Sequence, residues 1–116
     1  MGILTGKRIV VTGVLTDASL AFGVAKLAQE EGAEVVLTGA GRGLSLTQRT
    51  ARKLPHEAPV FEFDVTDPAH VESVREAVKA HWGGVDGVLH SIGFAPANCL
   101  GEDIMEAQWS DVSVAI

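Results

Sequence analysis

The chain has 116 residues, of which 47% are hydrophobic, and a formal net charge of −6 at pH 7. This length and composition are typical of one globular α/β domain with a substantial hydrophobic core. The negative charge argues against nucleic acid or an anionic membrane surface as a partner, because both require a basic patch. No apolar run approaches the roughly 20 residues of a membrane span, and residues 1–7 contain no secretory signal. Since Cys99 is the single cysteine, we expect a reducing, cytoplasmic setting.

Short apolar runs alternate with helical segments along the chain. Unbroken runs of β-branched residues are typical of parallel strands that are buried on both faces. The predicted strands cover residues 7–12, 35–38, 60–64 and 85–91. Helices are predicted from Ser19 to a stop at Gly32, over residues 45–54 with Pro55 ending the helix, and from a cap at Thr66 or Asp67 to Gly83.

The strict alternation of strands and helices predicts the fold class. It is typical of a Rossmann-like doubly wound parallel sheet with flanking helices. Right-handed crossovers give the strand order 3-2-1-4 and a ligand crevice at the carboxyl ends of the strands. Two helices carry apolar stripes that predict their sheet-facing sides. The stripes are Leu20, Val24, Leu27 and Ala28 on the first helix, where Gly23 would allow close approach to the sheet, and Val71, Val74, Val78 and Trp82 on the third.

An apolar helical stripe through Met105, Trp109, Val112 and Ile116 still runs at the end of the sequence. A dinucleotide site usually needs two βαβαβ halves. We therefore interpret residues 1–116 as a single dinucleotide-binding domain, the N-terminal portion of a fold about twice as long. Its fourth strand would be an exposed edge, and we expect a free chain to associate or aggregate.

Gly13 and Ser19 frame the turn between the first strand and the first helix. A helix N-terminus offers unpaired N–H donors and about half a positive charge, which suits a phosphate group. In the functional interpretation, Gly13 lets the backbone turn tightly against a cofactor, while Ser19 caps the helix and offers its hydroxyl to a pyrophosphate. The spacing departs from G-x-G-x-x-G, because Ser19 stands where a later glycine is expected. The alternative is an ordinary turn in which Ser19 only caps.

The ends of the second and third strands offer candidate adenosine contacts. After the second strand an acid favours NAD, whereas an Arg favours the 2′-phosphate of NADP. This chain has Arg42 there and no acid, which leans toward NADP unless Arg42 stacks or faces solvent. In one interpretation Asp64 accepts the adenine amino group while Val65 packs on the ring. In the other, Asp64 caps the following turn.

The fourth strand ends in the run from His90 to Phe94. Here Gly93 permits close backbone approach, and Ile92 is placed to press on one face of a flat ring. The alternative is a buried strand end in which His90 is satisfied by hydrogen bonds. No metal site is predicted, because the four histidines fall on different elements without ligand spacing.

Four motifs, in this order and spacing, match one known family. They are GVLTDASLAF after the first strand, LTG with Arg42 after the second, FDV after the third and HSIGF after the fourth. The chain resembles the enoyl-acyl-carrier-protein reductases, divergent members of the short-chain dehydrogenase/reductase superfamily. It is most similar to their NADH-dependent, mycolic-acid-pathway type, and the resemblance covers essentially all 116 residues.

The resemblance implies NADH as the cofactor, against the NADPH that Arg42 favours, and it assigns a cofactor-binding role to ten residues. These are Gly13, Leu15, Ser19 and Leu20 at the pyrophosphate, Ala40, Asp64 and Val65 at the adenosine, and Ser91, Ile92 and Gly93 at the nicotinamide and its ribose. Phe94 would begin the substrate side.

The resemblance also implies an activity in fatty-acid synthesis. Hydride passes from NADH to the trans-2 double bond of an enoyl thioester of acyl-carrier protein or coenzyme A, in a homo-oligomer that is a tetramer in the family. The family's catalytic Tyr and Lys follow a fifth strand, and this sequence contains no Tyr. We therefore expect no catalytic residue in this chain and no activity from it alone. The alternatives are a non-catalytic dinucleotide-binding module and another short-chain dehydrogenase/reductase.

Overall fold

A computed structural model of the chain describes residues 2–92, 105 and 107–115. The strands are β1 (Arg8–Val11), β2 (Glu34–Gly39), β3 (Val60–Glu62) and β4 (Gly87–Leu89), and the helices are α1 (Leu20–Glu30), α2 (Gly43–Ala51), α3 (Pro68–Trp82) and α4 (Trp109–Ala115). The four strands form one parallel sheet in the order β3-β2-β1-β4. The predicted Rossmann-like architecture and strand order are confirmed.

Helices lie against both faces of this sheet. Successive residues of a strand point to opposite faces. On β1, Val11 lies in the main core with residues of α1, whereas Val10 faces residues of α3. The doubly wound arrangement follows, because β2 and β3 lie on one side of β1 in the sheet and β4 lies on the other.

The predicted sheet-facing stripe of α1 is wrong for its three larger residues, Leu20, Val24 and Leu27, and correct for Ala28, which is buried. Leu20 is 88% exposed and Leu27 is 58% exposed, and no atom lies within 4 Å of the Cβ position of Gly23. The buried face is instead made mainly of small residues, namely Ala21, Phe22, Ala25, Ala28 and Gln29. Alanines let the helix axis come close to the strands, so the face with the smaller side chains packs and the larger residues remain outside.

The predicted stripe of α3 faces the sheet but is not buried. No residue of α3 is buried, and Val71 is 44% exposed. Val71, Val74 and Val78 line an apolar groove of about 450 Å³ together with Val10 and Val88 of the sheet. The groove leaves this side of the stripe partly open.

Element ends follow local hydrogen bonding more closely than hydropathy. Asp67 caps α3 by accepting from the Ala69 N–H at 2.9 Å, Pro68 occupies the first turn, and Gly83 ends the helix with φ 81°. These predictions are confirmed. The second helix begins two residues before its predicted start and ends at Ala51, so Pro55 does not directly stop it.

Asp86 links the amino end of β1 to the amino end of β4 by hydrogen bonds. Its Oδ2 accepts from the Arg8 N–H at 2.8 Å, and its own N–H donates to the Arg8 carbonyl at 2.8 Å. The backbone hydrogen bond and then the side-chain hydrogen bond from Arg8 hold the pKa of Asp86 below its ordinary value of 3.8. The carboxylate therefore contributes stability that is present above the unfolded-state pKa and is lost as the pH falls.

We expect Asp86→Asn to lower the melting temperature near neutral pH, because Asn keeps an acceptor but loses the charge. The gap from the wild type should narrow as the pH falls below about 4, where the unfolded aspartate protonates. Thermal melts across this range measure the gap. Asp17→Asn is the control, since within the described part of the chain the Asp17 carboxylate pairs with the exposed Lys53 alone. A gap that stays constant down to about pH 2 would contradict this account.

Candidate functional site

A cleft of about 210 Å³ lies at the carboxyl ends of the strands. It is lined by Gly13, Val14, Leu15, Thr38, Gly39, Ala40, Thr47, Phe63, Ser91 and Ile92. These residues come from the end of β2, from the segments after all four strands and from α2. The crevice position predicted for a doubly wound sheet is therefore the position of this cleft.

Gly13 allows the turn after β1 to touch the segment after β4. Its φ is 81°, a conformation that favours glycine, and a Cβ there would lie 1.9 Å from the Ser91 carbonyl oxygen. Any side chain at this position would push the two segments apart. The close approach is thus to the chain's own backbone, and it brings two cofactor candidates, Gly13 and Ser91, into direct contact.

A buried threonine hydroxyl ties the same two segments together. Thr12 Oγ1 donates to the Leu89 carbonyl at 3.2 Å and accepts from the Ser91 N–H at 2.8 Å. Only 2% of Thr12 is exposed. The role of Thr12 was not predictable from the sequence, because threonine is common in strands for its β propensity alone.

Ser19 is the N-cap residue of α1, as predicted, but its side chain organises the preceding turn. The Ser19 carbonyl accepts from the N–H groups of Phe22 and Gly23, whereas Ser19 Oγ accepts from the N–H groups of Leu15 and Thr16, each at 3.1 Å. The predicted position of the cap is therefore correct, and a side-chain capping bond to the helix is absent. Because this acceptor serves the loop, the N–H groups of Leu20 and Ala21 make no hydrogen bond within the described part of the chain.

Helix α2 holds the same turn from the other side. Thr47 Oγ1 donates to the Val14 carbonyl, and Thr50 Oγ1 donates to the Leu15 carbonyl at 3.0 Å. Both threonines are buried. Neither threonine was predicted to be functional. The usable signal is that two threonines lie three residues apart on one face of a helix. Threonine is unfavourable inside a helix, so such a pair suggests that the hydroxyl groups form hydrogen bonds.

Thr38 on β2 is a contrasting case. It is buried at the cleft wall, and its Oγ1 has no hydrogen-bond partner among the described residues. A buried hydroxyl without a partner costs stability.

Asp64 closes the turn that follows β3. Its Oδ1 accepts from the Thr66 N–H at 2.9 Å and from the Thr66 hydroxyl at 2.6 Å. The side-chain bond and then the backbone bond from Thr66 hold the pKa of Asp64 below its ordinary value. The turn-capping interpretation is therefore correct, while Oδ2 accepts no hydrogen bond from any described residue. Phe63 lines the cleft, and Val65 is exposed beside it.

A model of the family described as enoyl-(acyl carrier protein) reductase matches residues 13–116. The chain belongs to this family.

Curated relatives agree with this assignment. The enoyl-acyl-carrier-protein reductase (NADH) of Mycolicibacterium smegmatis is 47% identical over 119 residues, which cover 99% of this chain and 44% of that protein. The corresponding enzymes of Neisseria meningitidis serogroup B and Escherichia coli K12 are 38% and 37% identical, each match covering 92% of this chain and 41% of the relative. The chain spans less than half the length of these reductases.

The structure brings half of the ten predicted cofactor residues into the cleft wall. These are Gly13, Leu15, Ala40, Ser91 and Ile92. The others lie around it or beyond the described residues. Ser19 supports the turn, Leu20 begins α1, Asp64 and Val65 follow the lining residue Phe63, and Gly93 lies outside the described residues.

Exposure bears on two further residues that the sequence singled out. His90 is exposed, so the alternative of a buried, satisfied histidine at the end of the fourth strand is wrong. Arg42 is exposed at the start of α2. Over residues 2–92, 105 and 107–115, no group of acidic, histidine or cysteine side chains suits a metal ion, and no helix is both long and apolar enough to span a bilayer.

Two buried threonines at the cleft give a matched stability test. Thr47→Val leaves the Val14 carbonyl without its donor, and we expect it to lower the unfolding free energy by about 1–3 kcal/mol. Thr38→Val removes a hydroxyl that has no partner, so we expect it to be neutral or stabilising. Urea denaturation of both variants measures the difference. An equal loss of stability in the two variants would refute the proposed anchoring of the turn by α2.

Proposed function

We propose that this chain is the cofactor-binding part of an NADH-dependent enoyl-acyl-carrier-protein reductase. The observation that carries the proposal is the first turn of α1, which lacks a side-chain cap and which Ser19 joins by a hydrogen bond to the cleft-lining residue Leu15, in a chain that belongs to this reductase family. The relatives named above are NADH enzymes.

The start of α1 is suited to a pyrophosphate. The N–H group of Leu20 is not engaged within the described part of the chain, Leu20 is exposed, and the first turn contains no acidic side chain that would compete with an anion. The hydroxyl hydrogen of Ser19 is also available, because Ser19 Oγ acts only as an acceptor in the turn. Backbone donors at a helix N-terminus, together with the helix dipole, favour a bound phosphate.

The adenosine would lie between the ends of β2 and β3. Ala40 lines the cleft there, and the uncommitted Oδ2 of Asp64 is an acceptor for the adenine amino group. The lowered pKa of Asp64 keeps this carboxyl ionised at neutral pH, and the exposed Val65 offers an apolar surface to the ring. We assign NADH rather than NADPH, because the relatives are NADH enzymes and the exposed Arg42 lies outside the cleft lining.

The nicotinamide would lie against the segment after β4. Ser91 and Ile92 line the cleft at that end, and Ser91 is held by the Thr12 hydroxyl. Bound NADH supplies a hydride, and the part of this chain is to fix the orientation of the ring and to shield one face of it with Ile92. We propose that the hydride reduces an enoyl thioester, since the relatives are enoyl-acyl-carrier-protein reductases. From the family resemblance we also propose that the complete protein is a homo-oligomer.

We expect Ser19→Ala to weaken NADH binding by about tenfold, because the turn loses its organising acceptor and the site loses a hydroxyl donor. Fluorescence titration with NADH measures the effect. The matched control is Ser45→Ala, which removes an exposed hydroxyl on α2. Equal NADH affinities for the wild type and both variants would rule out the pyrophosphate role of Ser19.

We also expect the purified 116-residue chain to show no reduction of an enoyl thioester by NADH. It contains no tyrosine, the residue type that the family resemblance places at the thioester carbonyl. Loss of NADH absorbance in the presence of crotonyl-coenzyme A measures turnover. Steady activity of the purified chain would contradict this expectation.

A further inference from the structure

We propose that His70 is a positioning residue for adenine recognition. It lies in the first turn of α3 and was assigned no role above. The inference rests on the proposed function, because it concerns how the end of β3 presents Asp64 to an adenine ring.

His70 supplies a hydrogen-bond acceptor that the sheet does not provide. Within the described sheet, β3 pairs only with β2, so alternate N–H groups near its end point away from any strand. The Phe63 N–H donates to the Gly39 carbonyl at 2.7 Å. The Asp64 N–H, one residue later, donates instead to His70 Nδ1 at 2.9 Å.

The surroundings of His70 specify one tautomer. Because Nδ1 accepts a hydrogen bond, the ring proton of the neutral imidazole lies on Nε2. That nitrogen faces two carboxylates, with Glu62 Oε1 at 3.3 Å and Asp67 Oδ2 at 3.5 Å. The side chain of His70 is 28% exposed, so protein surrounds most of the ring. Acceptors on one side and a backbone donor on the other hold the imidazole in place.

The hydrogen bond from the Asp64 N–H to His70 completes a set of hydrogen bonds that fixes Asp64. The Asp64 carbonyl accepts from the Asp67 N–H at 3.0 Å, and Asp64 Oδ1 accepts twice from Thr66. With its N–H held by His70, the backbone and one carboxylate oxygen of Asp64 are both fixed. The remaining oxygen, Oδ2, then has a defined direction in which to accept the 6-amino group of adenine. Loss of the His70 contact would free the backbone from which the carboxylate projects.

The test compares ADP with IDP, whose hypoxanthine base carries an oxygen in place of the 6-amino group. We expect the wild-type chain to bind ADP about fivefold to tenfold more tightly than IDP, measured by calorimetry. In His70→Asn an amide oxygen takes the place of Nδ1, and the preference should be kept. In His70→Gln the polar group lies farther along the side chain, near Nε2, and we expect the preference to fall to about twofold or less.

Amide hydrogen exchange gives a readout that is independent of any nucleotide. We expect the Asp64 amide to exchange at least about tenfold faster in His70→Gln than in the wild type or His70→Asn, with the Phe63 amide as an internal reference. His81→Gln, an exposed substitution on the same helix, is the control and should change neither readout.

The outcomes separate the inference from the proposed function. If ADP binds but His70→Gln retains the full ADP preference, or the wild type binds ADP and IDP equally, the inference is overturned and NADH binding stands. If the wild type binds neither ADP nor NADH, the proposed function is overturned and the inference with it. Collapse of the preference in His70→Gln alone, together with faster exchange at Asp64, supports the positioning role.

Discussion

The contact between Gly13 and the Ser91 backbone is the constraint on which the candidate site depends. It joins two segments that are far apart in sequence, and it is possible only because Gly13 has no Cβ and adopts a positive φ. The Thr12 hydroxyl holds the same pair of segments from inside the sheet, across 79 positions of sequence. Parallel pairing of β1 with β4 aligns the strands, but these two contacts determine how closely their ends approach. The width of the cleft follows from that approach.

The turn after β1 is then fixed by side-chain hydroxyls. Thr47 and Thr50 hold its carbonyl groups from α2, and Ser19 holds its N–H groups. Since Ser19 is used in this way, α1 begins without a side-chain cap, and the N–H of the exposed Leu20 has no hydrogen-bond partner among the described residues. The chain thereby leaves unmet one of the usual requirements of a helix end, and a bound anion would meet it. A binding site with preorganised donors loses little entropy on binding.

The sequence predicted the architecture well because alternation of strands and helices, handed crossovers and turn residues are local or general properties. Strand order and the caps of α3 followed directly from them. The packing face of α1 and the incomplete burial of α3 did not, because periodicity cannot choose between a face of large apolar residues and a face of alanines, nor show that a groove remains open beside the stripe of α3. For the site, the sequence predicted which chain segments come together. It did not predict the hydrogen bonds of the Thr12, Thr47 and Ser19 hydroxyls, because the groups that they join come into position only in the folded turn.

The central claim is that the cleft beside the first turn of α1 binds NADH, and an NMR titration of the 15N-labelled chain with NADH tests it most directly. The account predicts that the largest backbone amide shifts fall on Gly13, Leu20, Ala21, Ala40 and Ser91, around this cleft. Shifts confined to the apolar groove beneath α3, or no saturable shifts at all, would contradict it.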